Sequence, residues 1–406
     1  MADVMATQTE LQEFRERCVT FFDEHATGIA VSDLEDLRGN QLFAENRRFQ
    51  RALADADLAG LTYPVEFGGQ GLHADYESTF RSVASQYPLM TRNLSISQGM
   101  CLPMLNEYGT PEQRAAHQAD LISGDQVWCQ MFSEPGAGSD VASLQMRAVR
   151  DGDEWIVNGQ KVWTTLAHLC DRGIVIARTD PDQPKHRGIT MFIVDMHAPG
   201  VEVRPIHQID GGMRFNEVWL TDVRVPATNQ IGDLNQGWRL ATAMLMYERV
   251  AIGTGQAGGV QHARASKLIK AAKQRDRLAD PILRQELMAL YTAEVCQSLM
   301  ALRTRAEQKA GKTPGPGGSL GKLAGAQVAA HYRDLSLSIV GPGSVAGEDG
   351  GRWAKDAITT LTSGIAGGTN EIQRNIIGER VLGLPREPSL DKDLPFKDLL
   401  VGTQRS

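Results

Sequence analysis

Apolar residues along the first part of the chain recur at helical spacing, as in LQEFRERCVTFFDE, with Ala, Glu, Gln and Arg between them. From Thr9 to about Ile122 this spacing predicts helices, broken at YPVEFGGQGL (Tyr63 to Leu72), where Pro64 and three glycines mark a loop. The period then changes. WIVNGQKVWTT, GIVIARTD, GITMFIVDM, VEVRPI and NEVWLTDVRVP are short β-branched and aromatic runs, separated by turn formers such as Asp151-Gly152 and Pro199-Gly200. No long helical pattern lies between them, so they predict a compact all-β domain from roughly Val127 to Ile231, an antiparallel sheet or barrel rather than a βαβ sheet. Helical periodicity resumes at Trp238 and continues to about Leu382, interrupted by GKTPGPGGSLGK and GPGSVAGEDGG. The predicted order is α, then β, then α, an α+β chain divided at 1–126, 127–232 and 233–406.

Composition narrows the class. A chain of 406 residues, 42% hydrophobic and 22% charged, is an ordinary globular protein of two or three domains. A net charge of −7 with scattered Lys and Arg offers no basic field for a phosphate backbone, which argues against nucleic acid. Cys18, Cys101, Cys129, Cys170 and Cys296 are far apart and form no CxxC pair, so no metal site is expected and a reducing cytoplasm fits them best. The start MADVMATQTELQEFRERC lacks the charged and apolar regions of a signal peptide, and no run of 18 apolar residues occurs, so no membrane segment is expected.

Two features compete in MLMYERVAIGTGQAGG, Met244 to Gly259. Gly253, Gly255 and Gly258 satisfy the GxGxxG spacing, but a dinucleotide loop needs a strand before the glycines, and the apolar run from Leu240 to Ile252 has the length of a buried helix. The glycines read as a chance match. PGGSLGKL fails as a phosphate loop because Pro316 stands at its first position and Leu323 follows the lysine. Glu248 is the odd residue: a carboxylate in a nearly all-apolar helix must be paired, open to a cavity, or shifted in pKa. Taken alone, a structural ion pair with Arg249 is the favoured explanation over a general base, because buried ion pairs outnumber catalytic bases.

CQMFSEPGAGSD (Cys129 to Asp140) followed by VNGQKVWTT (Val157 to Thr165) resembles the acyl-CoA dehydrogenase family. In the first stretch Gly136, Gly138 and Ser139 form a small-residue loop whose backbone N–H groups could approach a flat or anionic ligand. The likeness extends through YPVEFGGQGL, YGTPEQ, FNEVWLTDVRVP and GGTNEIQRNIIGERVLG, nearly the whole length. It implies an N-terminal α-helical domain, a middle β-barrel domain and a C-terminal four-helix bundle. It further implies FAD as cofactor and an acyl-CoA thioester as substrate, in reactions such as those of fatty-acid β-oxidation. In that chemistry a base removes the α-proton, the β-hydrogen passes as hydride to flavin N5, and electrons leave to an electron-transfer flavoprotein. By the same resemblance Gln130, Phe132, Ser133, Trp163, Thr164 and Thr165 contact the flavin, Ser139 contacts the CoA substrate, and Thr369 and Glu371 touch the dinucleotide part of FAD. A strand tryptophan is more often a barrel-core aromatic, so for Trp163 only the motif context favours the cofactor.

Many members carry an acid just before the C-terminal Gly-Thr, where this chain has Gly367. A smaller branch, with isovaleryl-type and long-chain-type enzymes, takes its carboxylate from the first helix of the C-terminal domain, in a Glu-Arg dipeptide. Glu248-Arg249 occupies that position, which makes Glu248 the expected base and Arg249 a substrate contact. Gly367 is expected to polarise the thioester carbonyl through its backbone N–H. The family's Arg-Lys-x-Phe-Gly segment is replaced by KQRDRLADP, where Lys273, Arg275 or Arg277 stands in for the arginine that meets the FAD pyrophosphate, and Ser338 replaces a usual glutamine. A homotetramer is what the resemblance implies. A flavin oxidase on the same scaffold, and a partner subunit holding FAD or CoA in a heteromeric complex, are the alternatives.

Overall fold

The computed structural model describes residues 6–26, 39–88, 90–253, 263–309, 316–347, 351–388 and 392–399, with the side chains of 39, 248–253, 263, 305, 308 and 309 outside the described set. The chain forms two compact units, Met1–Glu248 with Ser389–Ser406, and Arg249–Pro388. Elements follow the α, β, α order that the sequence predicts.

In the first unit, helix α1 (Gln8–His25) starts at a capping box. Thr7 Oγ1 accepts from the Glu10 N–H at 3.3 Å, and the Glu10 carboxylate accepts from the Thr7 N–H at 2.7 Å. Phe14, Cys18, Phe21 and Phe22 on its buried face meet α2 (Gly39–Asp55) and α3 (Ala74–Ala84) through ring contacts with Phe49, Tyr76 and Phe80. After α4 (Leu102–Tyr108), α5 (Pro111–Ser123) is nucleated by Thr110 and Gln113, with Pro111 at the first helical position. The Gln113 amide also donates to the Thr228 and Gln230 carbonyls at 2.7 and 2.8 Å, tying this helical layer to the sheet.

The sheet holds β1 (Trp128–Met131), β2 (Arg147–Asp151), β3 (Glu154–Thr165), β4 (Arg172–Arg178), β5 (Ile189–Asp195), β6 (Val201–Ile206), β7 (Phe215–Pro226) and β8 (Gln230–Ile231). Its order is β6-β7-β3-β2-β4-β5-β8, with β1 beside β4. Most pairings are antiparallel, as expected, but β1 runs parallel to β4, Gln130 opposite Ile174. The connection between them is long enough to return the chain in the same sense. β4 and β5 are buried on both faces, which is why GIVIARTD and GITMFIVDM read as continuous apolar runs rather than alternating ones. Ile174, Ile176, Met191 and Ile193 face the helical layer, while Val175, Ala177, Phe192 and Val194 join Trp155, Val157, Val218 and Leu220 in a second core. Helix α6 (Gly237–Gly253) leaves the sheet with Leu240, Ala241 and Met244 buried in the first core, and the Tyr247 hydroxyl donates to the Glu107 carboxylate of α4.

The second unit is helical: α7 (Ala263–Gln274), α8 (Pro281–Lys309), α9 (Gly318–Val340), α10 (Arg352–Thr360) and α11 (Asn370–Ile376). Leu268, Leu287, Leu290, Tyr332, Leu335 and Trp353 form its core. Buried Glu294 accepts from the Arg264 and Ala265 N–H groups at 3.3 and 3.0 Å, satisfying the first turn of α7.

All five cysteines are free, four buried and Cys296 exposed. Burial pushes the Cys18 thiol up to about 11, away from reactive thiolate. A mild thiol reagent is therefore expected to label Cys296 in the native protein and the other cysteines only on unfolding; fast labelling of Cys18 in the native state would contradict the packing of α1.

Candidate functional site

The least regular backbone of the sheet lies in β3. Its pairing with β7 shifts register between Lys161 and Thr164, and Trp163 sits in that bulge at φ 61°, in the left-handed region. The bulge turns the indole outward. Trp163 is 58% exposed, its ring edge-on to Phe215 with centroids 6.1 Å apart, so the core-aromatic alternative does not hold. Beside it Thr164 is 2% exposed, and its buried Oγ1 has no hydrogen-bond partner. A buried polar atom without a partner calls for an explanation, and beside strained backbone it is a candidate ligand contact. The Thr164 carbonyl is held by Asn216 Nδ2 at 2.9 Å, and Asn216 Oδ1 lies 2.8 Å from His168 Nδ1.

The end of β1 runs alongside this bulge. The Val162 N–H donates to the Ser133 carbonyl at 2.9 Å, so the Gln130–Ser133 segment and the Trp163–Thr165 segment are brought together. Phe132 is buried, while Gln130, Ser133 and Thr165 are half-buried. An ion pair invisible to motif reading joins the two segments. Lys161 Nζ, fully buried, donates to the Phe132 carbonyl at 3.0 Å and to Glu134 Oε1 at 2.8 Å. The Glu134 carboxylate also accepts from the Gln145 and Met146 N–H groups at 2.6 and 3.0 Å. Burial lowers the Lys161 pKa, and the Glu134 charge opposes that shift. A signal for this pair was available: Lys161 shares the inward parity of Trp155 and Val157, and a lysine on the apolar side of a strand requires a buried carboxylate.

Past Glu134 the chain makes a tight turn, with Glu134 and Ala137 exchanging backbone hydrogen bonds at 3.0 Å. Gly138 and Ser139 are exposed, and a Cβ at Gly138 would meet nothing within 4 Å. Asp140 accepts from Ser143 Oγ and from Lys185 Nζ.

Glu248 and Arg249 fall in the helix α6 backbone, not in a strand, as the apolar run predicts. Their side chains lie outside the described residues, as do Gly255 and Gly258. In the second unit Gly367 and Gly368 adopt φ 67° and 88°, and the buried Gln373 amide donates to both carbonyls, at 2.9 and 3.4 Å. Thr369 Oγ1 accepts from the Ile372 N–H at 3.3 Å as the cap of α11, leaving its O–H proton to donate. Buried Asn370 Oδ1 and Gln373 Oε1 lack partners. Glu371 is exposed and pairs with Arg374 at 3.2 Å. Of the candidate pyrophosphate cations, Arg277 donates to the Ser338 carbonyl at 3.5 Å, which brings two of the sequence departures together, while Lys273 is exposed in the last turn of α7. Among the described residues no group of His, Cys, Asp and Glu is arranged to hold a metal ion, and no helix is long and apolar enough to cross a membrane.

Comparison with known proteins identifies the family. Residues 8–125, 129–223 and 235–382 match the family models for the N-terminal, middle and C-terminal domains of acyl-CoA dehydrogenase. The chain belongs to the acyl-CoA dehydrogenase family, oxidoreductases acting on CH–CH bonds that bind acyl-CoA and use FAD. It is 36% identical to acyl-CoA dehydrogenase IpdE1 of Mycobacterium tuberculosis over 93% of this chain and 99% of that one. It is 30% identical to the mitochondrial isovaleryl-CoA dehydrogenase of Pongo abelii over 72% and 69% of the two chains. Among solved structures, the ChsE4-ChsE5 complex from Mycobacterium tuberculosis superposes with a TM-score of 0.76 at 29% identity, covering 96% of this chain and 100% of that one.

Proposed function

We propose that this chain is an FAD-dependent dehydrogenase that desaturates a CoA thioester between its α and β carbons, with Glu248 as general base. The observation that carries this reading is the β3 bulge, where an outward indole on strained backbone adjoins a buried hydroxyl with no partner. These features fit a flat heteroaromatic cofactor: Trp163 offers a ring face and Thr164 a donor, with Phe132 and Ser133 on the neighbouring segment. Bound FAD supplies hydride acceptance at its isoalloxazine.

The chain's own residues do the rest. Glu248 takes the α-proton as the general base. The Gly367 N–H draws electron density from the thioester carbonyl. Ser139 and Arg249 hold the CoA thioester, while Thr369 and Glu371 hold the dinucleotide part of FAD. The conformation at 367 supports leaving the base at 248. A glutamate placed at φ 67° carries backbone strain of about 1–3 kcal/mol. The double variant Gly367→Glu with Glu248→Gln is therefore expected to stay as slow as Glu248→Gln alone and to melt at a lower temperature. Recovered turnover without loss of stability would refute that argument.

Thr164→Val tests the cofactor directly. Replacing a buried hydroxyl that has no partner by a methyl of the same shape is neutral or stabilising for the apoprotein, whereas a hydrogen bond to FAD is worth about 1 kcal/mol. The expected result is an apoprotein as stable as wild type with FAD bound about fivefold more weakly. Unchanged FAD affinity would remove Thr164 from the cofactor site.

The function itself is tested by mixing the purified yellow protein anaerobically with a panel of acyl-CoAs and following flavin bleaching. No bleaching with any thioester would overturn it. Turnover with an artificial acceptor, compared with and without oxygen, separates an electron-transfer flavoprotein partner from an oxidase. A homotetramer in a reducing cytoplasm is the proposed state. The likeness to the ChsE4-ChsE5 complex favours a second reading, in which this chain is one subunit of a heteromeric enzyme. FAD retention, mass and activity of the chain purified alone distinguish the two.

A further inference from the structure

After the second unit the chain returns to the first. Residues 392–399 lie along the turn between β4 and β5. The Phe396 N–H donates to the Gln183 carbonyl at 2.8 Å, and the Lys397 N–H donates to the Pro181 carbonyl at 3.0 Å. Pro395 bridges Pro184, and the exposed pair of Lys397 with Asp182, at 2.6 Å, adds little in water. The buried Phe396 ring lies over the Arg178 guanidinium, 3.6 Å from carbon to ring centroid.

Arg178 is a hub. Only 4% exposed, it donates from Nη1 to the Lys185 and Arg187 carbonyls at 2.9 and 3.0 Å, and from Nη2 to the Ala142 carbonyl at 2.7 Å. The first two bonds fold the β4–β5 turn back on its own strand. The third reaches the 141–143 turn that closes the Gly138-Ser139-Asp140 loop. A second link runs parallel, since Lys185 Nζ meets Asp140 Oδ2 at 2.9 Å. The Ser139 loop is exposed and carries little apolar packing of its own, so its shape depends on these attachments. A guanidinium out of water is fixed by its carbonyl acceptors and by the aromatic face that closes over it.

We propose that residues 392–399 form a clasp for the substrate-side loop. Phe396 is a positioning residue that acts through Arg178 to hold Ser139 in the shape that grips a CoA thioester. The inference rests on the reading of Ser139 as a CoA contact. Without the ring, water enters around the guanidinium, the hold on Ala142 and on Lys185 loosens, and the two loops move together. FAD binding, which belongs to the β3 bulge, is left alone.

The test uses the full-length FAD-loaded protein and Phe396→Ala, with Phe396→Trp as the conservative control. Hydrogen exchange is followed at 136–143 and 179–188, and the dissociation constant for coenzyme A is measured by calorimetry. In Phe396→Ala both segments are expected to exchange at least tenfold faster and coenzyme A to bind about tenfold more weakly, with flavin content unchanged; Phe396→Trp restores both. Faster exchange in 179–188 alone, unchanged coenzyme A affinity, or flavin lost in proportion to affinity each overturns the clasp. If Phe396→Ala does not fold, Phe396→Leu keeps most of the packing volume, removes the ring face, and carries the same comparison. Failure of the underlying reading looks different: Ser139→Ala in the otherwise unsubstituted protein would itself leave coenzyme A affinity unchanged.

Discussion

Glu248→Gln is expected to give a yellow protein that folds, keeps FAD and binds acyl-CoA, yet reduces its flavin about 100- to 10,000-fold more slowly, the range associated with losing a general base. Glutamine keeps the size and hydrogen-bonding shape of glutamate but cannot accept the α-proton at neutral pH. The measurement is stopped-flow bleaching under anaerobic conditions, so that binding and reduction are seen as separate phases. A rate within a few-fold of wild type would move the base elsewhere and leave the Glu248-Arg249 ion pair as the explanation of this dipeptide. Ahead of it on the same helix, Leu240, Ala241 and Met244 seat α6 in the core, and the Tyr247 hydroxyl is bonded to Glu107.

The second large effect concerns the pair beneath the cofactor segments. Lys161→Met removes the partner of a buried carboxylate and strips the Phe132 carbonyl of its donor. Breaking a buried pair from one side costs about 3–5 kcal/mol, more than any surface ion pair of this chain contributes. Urea unfolding should register that loss, and FAD should dissociate readily because Phe132 and Ser133 are no longer fixed against the bulge. Adding Glu134→Gln to Lys161→Met should recover part of that loss because no unpaired charge remains, while the single amide oxygen keeps only one of the two N–H bonds that Oε2 and Oε1 accept from Gln145 and Met146. A single variant as stable as wild type, or a double variant worse than the sum of the singles, would sink this account.

How much of this was legible beforehand follows from what each signal depends on. The period change near residue 127 depends only on local spacing, so the helical and sheet regions could be read directly. The parallel partner of β1 could not, because strand direction is set by connections that reveal nothing in the strand itself. Trp163 was identifiable through its motif, but its left-handed backbone comes from a register slip between β3 and β7, a property of two strands together. Glu134 and Lys161 both stand inside quoted motifs, but a motif does not show that they pair; only the inward parity of Lys161 on its strand points to a buried carboxylate partner. The 392–399 segment had no signal at all: PFKDL is short, mixed in polarity and remote in sequence from Arg178.

The left-handed turn at Gly367 bears on how such an enzyme can change over generations. An acid placed at that slot meets left-handed backbone that glycine adopts freely and other residues adopt at a cost of about 1–3 kcal/mol. The turn is also held by the Gln373 amide, so an acid at 367 would have to fit a backbone fixed from two sides. On the proposed assignment of Glu248 as base, substitutions around that residue are therefore expected to be tolerated more readily than a transfer of the acid to 367.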